Sequence, residues 1–163
     1  MTVPNRSYQA VISAPFGALG ILMEAGQLTG IDFLPAQSKA QAPAEQAAVR
    51  AVKAIQGYFA DPTQPFQLQL RLHGSEFQLR VWQRLRRIPA GRPMTYGMLA
   101  EELGTGPRAV GNACRANPCP LVVPCHRVVS ASGLGGFAGQ REGEKLAVKH
   151  WLLAHEGYRE TRR

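Results

Sequence analysis

Apolar and polar positions alternate with a period of two in three short runs near the start of the chain. This pattern is typical of strands with one buried face, and it predicts strands at Tyr8–Ser13, Leu19–Glu24 and Leu28–Phe33. The sequences Pro15-Phe16-Gly17 and Ala25-Gly26 separate them as turns. Because both connections are short, we expect the strands to pair as a small antiparallel meander.

The period then changes to that of a helix. After a loop at Lys39–Glu45, apolar residues recur every three or four positions, and the predicted helix runs through Ala60. Alternation returns at Phe66–Leu72, which we predict to be a further strand. We place a domain boundary after it, so that residues 1–72 form an N-terminal α/β domain with a structural role. The apolar residues at helical spacing are Val49, Val52, Ile55 and Phe59.

Residues 73–163 are predicted to be mainly helical. Ser75 and Gln78 have the spacing of a capping box, which opens the first helix of this half. A second helix is predicted from Thr95 to Gly104. A third follows with a proline in its first turn, and the two are joined in the manner of a helix-turn-helix. The last helix is predicted at about Glu144 to Glu156 and closes the chain. The fold class is therefore predicted as α+β: a small antiparallel sheet with a helix, then a winged helix-turn-helix-like domain.

Charge is distributed unevenly between the two halves. The chain has 163 residues, 45% of them apolar, and a formal net charge of +8, of which +7 lies in residues 73–163. Fifteen of its nineteen cationic residues are Arg, whose planar guanidinium binds phosphate in a bidentate manner. This charge favours an anionic partner such as nucleic acid; a merely soluble basic surface is the alternative.

The cysteine count and the apolar runs bear on the compartment. Three cysteines, all between Cys114 and Cys125, give no disulfide framework and fit a reducing environment. No apolar run is long enough for a membrane span, and the N-terminus lacks the order of a secretory signal. We therefore expect a cytoplasmic protein that is not secreted and has no membrane partner.

The third helix of the second half carries unusually small residues. Ala109, Gly111 and Ala116 leave little side chain to hydrogen-bond base edges, but they allow close approach to a backbone. A slim helix suits the minor groove and weak sequence readout. Arg108, in its first turn, is the long side chain that can enter a duplex; a solvated helix residue is the alternative.

The candidate nucleophile is Cys125, in the sequence Pro124-Cys125-His126. The next residue, His126, supplies a base with a pKa near neutrality, provided that a turn or a bridging water brings it to the thiol. Glu156, at the negative end of the last helix, is the candidate acid that orients His126; an exposed helix end is the alternative. Cys114 and Cys119 are interpreted as inert buried thiols. A metal site is disfavoured because the spacing matches no Cys-x-x-Cys knuckle.

Eight ordered motifs between about residues 57 and 157 resemble those of the O6-alkylguanine-DNA alkyltransferases, also called methylated-DNA–protein-cysteine methyltransferases. The motifs are Ser75-x-Phe77-Gln78-x-x-Val81-Trp82, Ile88-Pro89-x-Gly91, Thr95-Tyr96-Gly97, Arg108-Ala109-Val110-Gly111, Asn117-Pro118, Pro124-Cys125-His126-Arg127-Val128-Val129, Gly136-Phe137-Ala138-Gly139 and Lys149-x-Trp151-Leu152-Leu153-x-x-Glu156.

The resemblance implies direct reversal of DNA damage. The protein would bind duplex DNA through the minor groove, flip O6-alkylguanine out of the stack and transfer the alkyl group irreversibly to Cys125 in a single turnover. It implies that His126 acts through water as the base, that Asn117 braces the active-site turn and that Tyr96 offers its hydroxyl to the base. Arg108 would fill the gap in the stack. The implied catalytic residues are Cys125, His126, Glu156, Asn117 and Tyr96; the implied DNA-binding residues are Tyr96, Arg108, Ala109, Gly111, Arg115 and Ala116; the implied pocket residues are Pro124, Val128, Phe137 and Gly139.

The same resemblance implies a monomer that works on the nucleoid, with cooperative binding along DNA left open. It implies no cofactor, and we expect no metal, since the N-terminal third lacks the zinc-binding cysteines of some relatives. The sequence departs from the family at Phe137, where many relatives have tyrosine, and in a slightly longer segment at 140–144. These departures affect the accepted alkyl size. Two alternatives remain: a non-catalytic, alkyltransferase-like protein that binds lesions, which would lack the reactive cysteine, and a cysteine hydrolase.

Overall fold

The structure is a computed structural model that describes residues 7–133, 135 and 144–159. It divides into two compact units, with the boundary between Leu72 and His73. None of the helices in the described part of the chain combines the length and apolar character needed to cross a bilayer. Elements of the α+β fold class are present, as the sequence predicts.

The first unit contains a three-stranded antiparallel sheet in the order β1-β2-β3. The strands are β1 (Ala10–Ala14), β2 (Gly17–Glu24) and β3 (Gln27–Leu34), so the predicted meander is confirmed with small changes at the strand ends. Helix α1 (Gln46–Ala60) follows and buries one apolar face, as its spacing predicts. The buried residues of this face are Ala48, Ala51, Val52, Ile55 and Tyr58.

The strand predicted at Phe66–Leu72 is wrong. The segment makes only an isolated parallel bridge to β3, in which Leu28 N donates to Gln69 O and Arg71 N donates to Leu28 O, both at 2.9 Å. Its side chains alternate between partly buried and exposed, which explains the sequence pattern. Alternation indicates which side chains are partly buried, whereas a strand also needs a continuous ladder of backbone hydrogen bonds. The segment 66–72 bonds to β3 at one bridge alone.

The second unit has four helices and one pair of short strands among its described residues. Helix α2 (Glu76–Leu85) begins at the predicted capping box, with Gln78 N donating to Ser75 Oγ and Ser75 N to Gln78 Oε1. Helices α3 (Tyr96–Leu103), α4 (Pro107–Arg115) and α5 (Glu144–His155) follow. Gly104 ends α3 in the left-handed conformation, at φ 67°. Strands β4 (Met94–Thr95) and β5 (Val128–Val129), which the sequence did not predict, pair in parallel.

Helix α2 anchors the pair of helices α3 and α4. The buried indole of Trp82 donates from Nε1 to the carbonyl of Ala113 on α4 at 2.8 Å, and Arg80 donates to the carbonyl of Leu103 at the end of α3 at 3.2 Å. Both acceptors lie among the last four carbonyls of their helices, so these hydrogen bonds satisfy helix-end groups and fix the relative position of the two helices. The core of this unit comprises Val81, Trp82, Leu85, Ile88, Leu99, Val110, Val123, Val128 and Leu152.

Candidate active site

The site is built on a buried segment between α4 and β5. All eight residues from 119 to 126 are buried, although the segment contains no regular strand. Its backbone is held by Asn117, whose Nδ2 donates to Val123 O at 2.8 Å and whose Oδ1 accepts from Cys119 N at 2.9 Å. Leu121 lies at φ 76°, a strained conformation for a branched residue that the surrounding hydrogen bonds must offset. Asn117 therefore ties both ends of a tight, buried loop.

Cys125, His126 and Arg127 form one turn of 3₁₀ helix, so the turn required by the sequence argument is present. Arg127 N donates to Pro124 O at 3.0 Å, and Cys125 N donates to Val123 O at 2.8 Å. Cys125 and His126 are buried, while Arg127 is partly buried. A 3₁₀ turn spreads consecutive side chains by about 120°. The side chains of Cys125, His126 and Arg127 can therefore point in three different directions from one short segment.

Glu156 forms hydrogen bonds with the side chains of His126 and Arg127. It follows α5, and its side chain has 0% exposure, which excludes the alternative of an exposed helix end. His126 Nε2 lies 2.7 Å from Oε2, Arg127 Nε donates to Oε1 at 2.9 Å, and Arg127 Nη2 donates to Oε2 at 2.9 Å. Burial raises the pKa of Glu156, but the hydrogen bonds from His126 and Arg127 and the charge of Arg127 outweigh it and lower this pKa to about 2.

His126 is completely buried, and burial lowers its pKa despite the hydrogen bond to Glu156. Since Glu156 is ionised, it can only accept, and Nε2 of His126 must carry the proton of their hydrogen bond. Nδ1 is then an unprotonated acceptor. It has no hydrogen-bond partner within the described residues. The ring is therefore oriented on one side and open to a proton on the other.

Cys125 is 7% exposed. Burial raises the pKa of its thiol, whereas a hydrogen bond with Asn117 and the positive charge of Lys149 act in the opposite direction. The sulfur is therefore a thiol at rest, and a base must remove its proton for reaction. Cys114 and Cys119 are also buried; burial raises the pKa of Cys119 to about 12 and raises that of Cys114 as well.

Lys149 is a site residue that the sequence analysis did not assign. It reaches inward from α5, is 0% exposed, and its Nζ donates to the carbonyl of Val128 at 2.7 Å. The same nitrogen lies 5.9 Å from the centre of the Tyr96 ring. Burial lowers the pKa of Lys149 to about 8, and the nearby thiols of Cys125 and Cys114 counteract this. A lysine within the apolar stripe of α5 was the signal available in the sequence.

Tyr96 begins α3 and is partly buried beside the reactive turn. Burial raises its pKa, so the hydroxyl keeps its proton at neutral pH and can donate. A Cβ built on Gly135, which has φ 74°, would lie 3.0 Å from Cε2 of Tyr96 and 3.3 Å from Ser130 N. Glycine is therefore required where this segment passes the ring.

Helix α4 presents the small residues identified in the sequence. Arg108, Arg115 and Ala116 are exposed, and Ala109 and Gly111 are partly exposed. The opposite face, made of Val110, Ala113 and Cys114, is buried. The helix thus combines an apolar inner face with an outer face of small residues between two arginines.

The predicted pocket is only partly covered by the structure. Pro124 and Val128 are buried next to Cys125. Phe137 and Gly139 lie outside the described residues, as does most of the segment on which the sequence departs from the alkyltransferases. No group of three or more His, Cys, Asp or Glu side chains that could hold a metal ion occurs in the part of the chain that the structure describes.

Comparisons with known proteins identify relatives of this chain. Residues 76–158 match the model of the 6-O-methylguanine DNA methyltransferase DNA-binding domain. The chain is 34% identical, over 92% of its length and 98% of the relative's, to a methylated-DNA–protein-cysteine methyltransferase of Methanosarcina acetivorans. It is 50% identical, over 68% of its length and 74% of the relative's, to a DNA base-flipping protein of Thermus thermophilus. Mycobacterium tuberculosis OGT in complex with DNA is similar in structure, with TM-score 0.74, 36% identity and 90% coverage of both chains.

Proposed function

Because the chain belongs to the O6-methylguanine DNA methyltransferase family, we propose that it repairs duplex DNA by moving an alkyl group from guanine O6 to Cys125. Its class of reaction is methyl transfer from DNA to a protein cysteine, since methylated-DNA–protein-cysteine methyltransferases match it at up to 50% identity. The acceptor residue, the steps of the transfer and its stoichiometry are the parts that we propose.

The observation that carries the proposal is the chain of contacts from Glu156 through His126 to the Cys125 turn. Glu156 orients the imidazole through Nε2, and Nδ1 is a buried acceptor on the residue next to the thiol. An unprotonated nitrogen in that position is what a buried thiol needs to lose its proton, directly or through water. Asn117 and Lys149 favour the thiolate that results.

The residues of the site account for every proton and electron pair in the transfer. The Cys125 proton passes to Nδ1 of His126, and the thiolate attacks the alkyl carbon in line with the C–O6 bond. An S–C bond forms while the C–O6 bond breaks, and its electron pair remains on the guanine. The departing base takes a proton from the hydroxyl of Tyr96, which burial keeps protonated. Protonated His126 then returns its proton to the Tyr96 oxygen, directly or through water, so that both residues are restored and the net proton moves from the thiol to the guanine.

The product explains why we propose a single turnover. A thioether has no bond that water cleaves readily, and no step above regenerates the thiol. Each molecule would accept one alkyl group and remain alkylated. The added group also fills space at a buried residue, which destabilises a packed segment.

DNA is the partner of this family, and we propose that α4 enters the minor groove. Its outer face is small and lies between Arg108 and Arg115, which suits a narrow groove and phosphate contact. Arg108, near the start of the helix, would replace the flipped nucleotide in the stack. In this proposal residues 73–163 contain all DNA-binding and reacting groups, residues 1–72 are structural, and a monomer acts on chromosomal DNA in the cytoplasm.

The test is incubation with an equimolar duplex that contains one O6-methylguanine, followed by intact-protein mass measurement and peptide mapping. We expect a gain of one CH2 group on the peptide with Cys125, complete at one equivalent, and none in Cys125→Ala. Cys119→Ala, which removes another buried thiol of the same unit, serves as the control and should still be methylated. Binding without a mass change would instead indicate a lesion-recognition protein, and repeated hydrolysis of an ester would indicate a hydrolase.

A further inference from the structure

Arg127 makes more polar contacts with the site than any role assigned to it so far requires. Its Nε and Nη2 bind both carboxylate oxygens of Glu156 at 2.9 Å, and its Nη1 donates to the carbonyl of Ile88 at 2.6 Å. The side chain is 11% exposed, and that of Glu156 is 0% exposed. Bidentate guanidinium–carboxylate pairs fix geometry as well as charge. Arg127 thus connects Glu156, through hydrogen bonds, to Ile88 in the segment that follows α2.

This pairing changes what Glu156 can do to His126. A buried carboxylate without a cation would raise the pKa of the imidazole strongly, because each proton gained by the ring would neutralise a buried charge. Here the Arg127 charge already neutralises the carboxylate. The carboxylate can still accept the hydrogen bond from Nε2 and orient the ring.

The charged groups acting on His126 come from two elements. Lys149 belongs to α5 and Glu156 to the turn after it, and Arg127 belongs to the ring's own 3₁₀ turn. Burial and the charges of Arg127 and Lys149 lower the pKa of His126, and Glu156 raises it. Neutral His126 is required if Nδ1 is to receive the thiol proton.

We propose that Arg127 is a positioning residue of the transfer reaction: by binding both oxygens of Glu156 it lets that carboxylate orient His126 without stabilising the protonated ring, so that Nδ1 stays open to the Cys125 proton. This inference rests on the proposed function for its catalytic meaning. The charge state of His126, however, can be measured without any DNA.

The first experiment is a titration of the His126 ring by nitrogen NMR in the free protein, comparing the wild type with Arg127→Met, Arg127→Gln and Arg127→Lys. We expect the two neutral variants to raise the pKa of His126 by about one unit, a tenfold change in its protonation ratio, and Arg127→Lys to stay close to the wild type. Arg92→Met, an exposed arginine outside the site, is the control. An unchanged His126 titration in the neutral variants would overturn the inference. Arg127→Gln retains a hydrogen-bonding side chain and keeps the test decisive if Arg127→Met does not fold.

The second experiment is the single-turnover rate of methyl transfer from an O6-methylguanine duplex as a function of pH. At pH values below the wild-type pKa of His126, Arg127→Met should be up to about tenfold slower than the wild type, and near pH 9 the two should agree within about twofold, because high pH restores the neutral imidazole. An equal loss at every pH would mean that Arg127 only supports the fold, and would contradict the inference. If the wild type transfers no methyl group, the proposed function fails, while the NMR titration still decides the role of Arg127 toward His126.

Discussion

Lys149 and Val128 are joined by a hydrogen bond of 2.7 Å, from the buried Nζ of the lysine to the backbone carbonyl three residues after Cys125. This contact fixes a buried positive charge inside the site. Its charge favours the thiolate of Cys125 and disfavours the protonated form of His126. The Lys149 charge therefore favours loss of the proton from the Cys125 sulfur, and it also favours later loss of that proton from the His126 ring.

Replacing Lys149 should therefore make the thiol less acidic. In Lys149→Met the pKa of Cys125 should rise, and its alkylation by iodoacetamide near neutral pH should slow on the order of tenfold, since a nearby buried cation is lost. The measurement is the pH dependence of the rate at the Cys125 peptide, followed by mass spectrometry. Lys145→Met, one turn earlier on α5, is the control. Identical pH profiles for Lys149→Met and the wild type would contradict this role.

Gly91 should tolerate no side chain. It lies at φ 80°, and a Cβ there would be 2.9 Å from the backbone carbonyl of Glu156. Gly91→Ala should lower the free energy of unfolding by about 2 kcal/mol or more and slow methyl transfer, because relief of the clash displaces the residue that orients His126. Gly57→Ala, in a helix where a Cβ meets nothing within 4 Å, is the matched control and should be neutral or slightly stabilising. The measurement is the free energy of unfolding of Gly91→Ala and Gly57→Ala, obtained by denaturant unfolding.

Acid should destabilise the protein through Glu156. Its pKa is about 2 in the folded protein against an ordinary 4.5. A carboxyl group with a lowered pKa stabilises the fold fully above the higher value, and this contribution is lost as the pH falls from 4.5 toward 2. The contribution is at most about 3 kcal/mol. Glu156→Gln should therefore flatten the dependence of the unfolding free energy on pH in this interval.

The control for that measurement is Glu102→Gln. Glu102 also pairs with an arginine, Arg84, but its side chain is 49% exposed, and exposed ion pairs contribute little. This variant should keep the acid dependence of the wild type. If Glu102→Gln and Glu156→Gln alter the curve equally, the buried pair is not the source of acid sensitivity.

Arg108 should matter for duplex DNA and much less for an isolated lesion. The residue is exposed near the start of α4, where it can fill the space of a flipped nucleotide. Arg108→Ala should slow methyl transfer from a duplex on the order of tenfold, because an unfilled gap leaves neighbouring bases unstacked. Transfer from single-stranded O6-methylguanine DNA should change little. Equal losses on both substrates would argue against this role.

Much of the fold follows from local sequence. The capping box at Ser75, the glycine at 104 and the proline at 107 define helix ends by requirements of single residues, and the structure has the helices there. The three strands of the first unit follow from alternation and short turns. The strand predicted at 66–72 failed because pairing depends on how the segment crosses β3, which alternation does not encode.

The candidate site, like the fold, has features that the sequence predicts and features that only the structure shows. The order Cys125-His126 and the family motifs predict a nucleophile and its neighbouring base from sequence alone. The sequence also offers Glu156 as the acid that orients His126, but only the tertiary structure shows that Arg127 binds the same carboxylate and that Lys149 points inward to Val128. Sequence determines which chemical groups are available and where helices begin, because those are local properties. The charge state of each group depends on burial and on partners distant in the chain, and folding alone decides these.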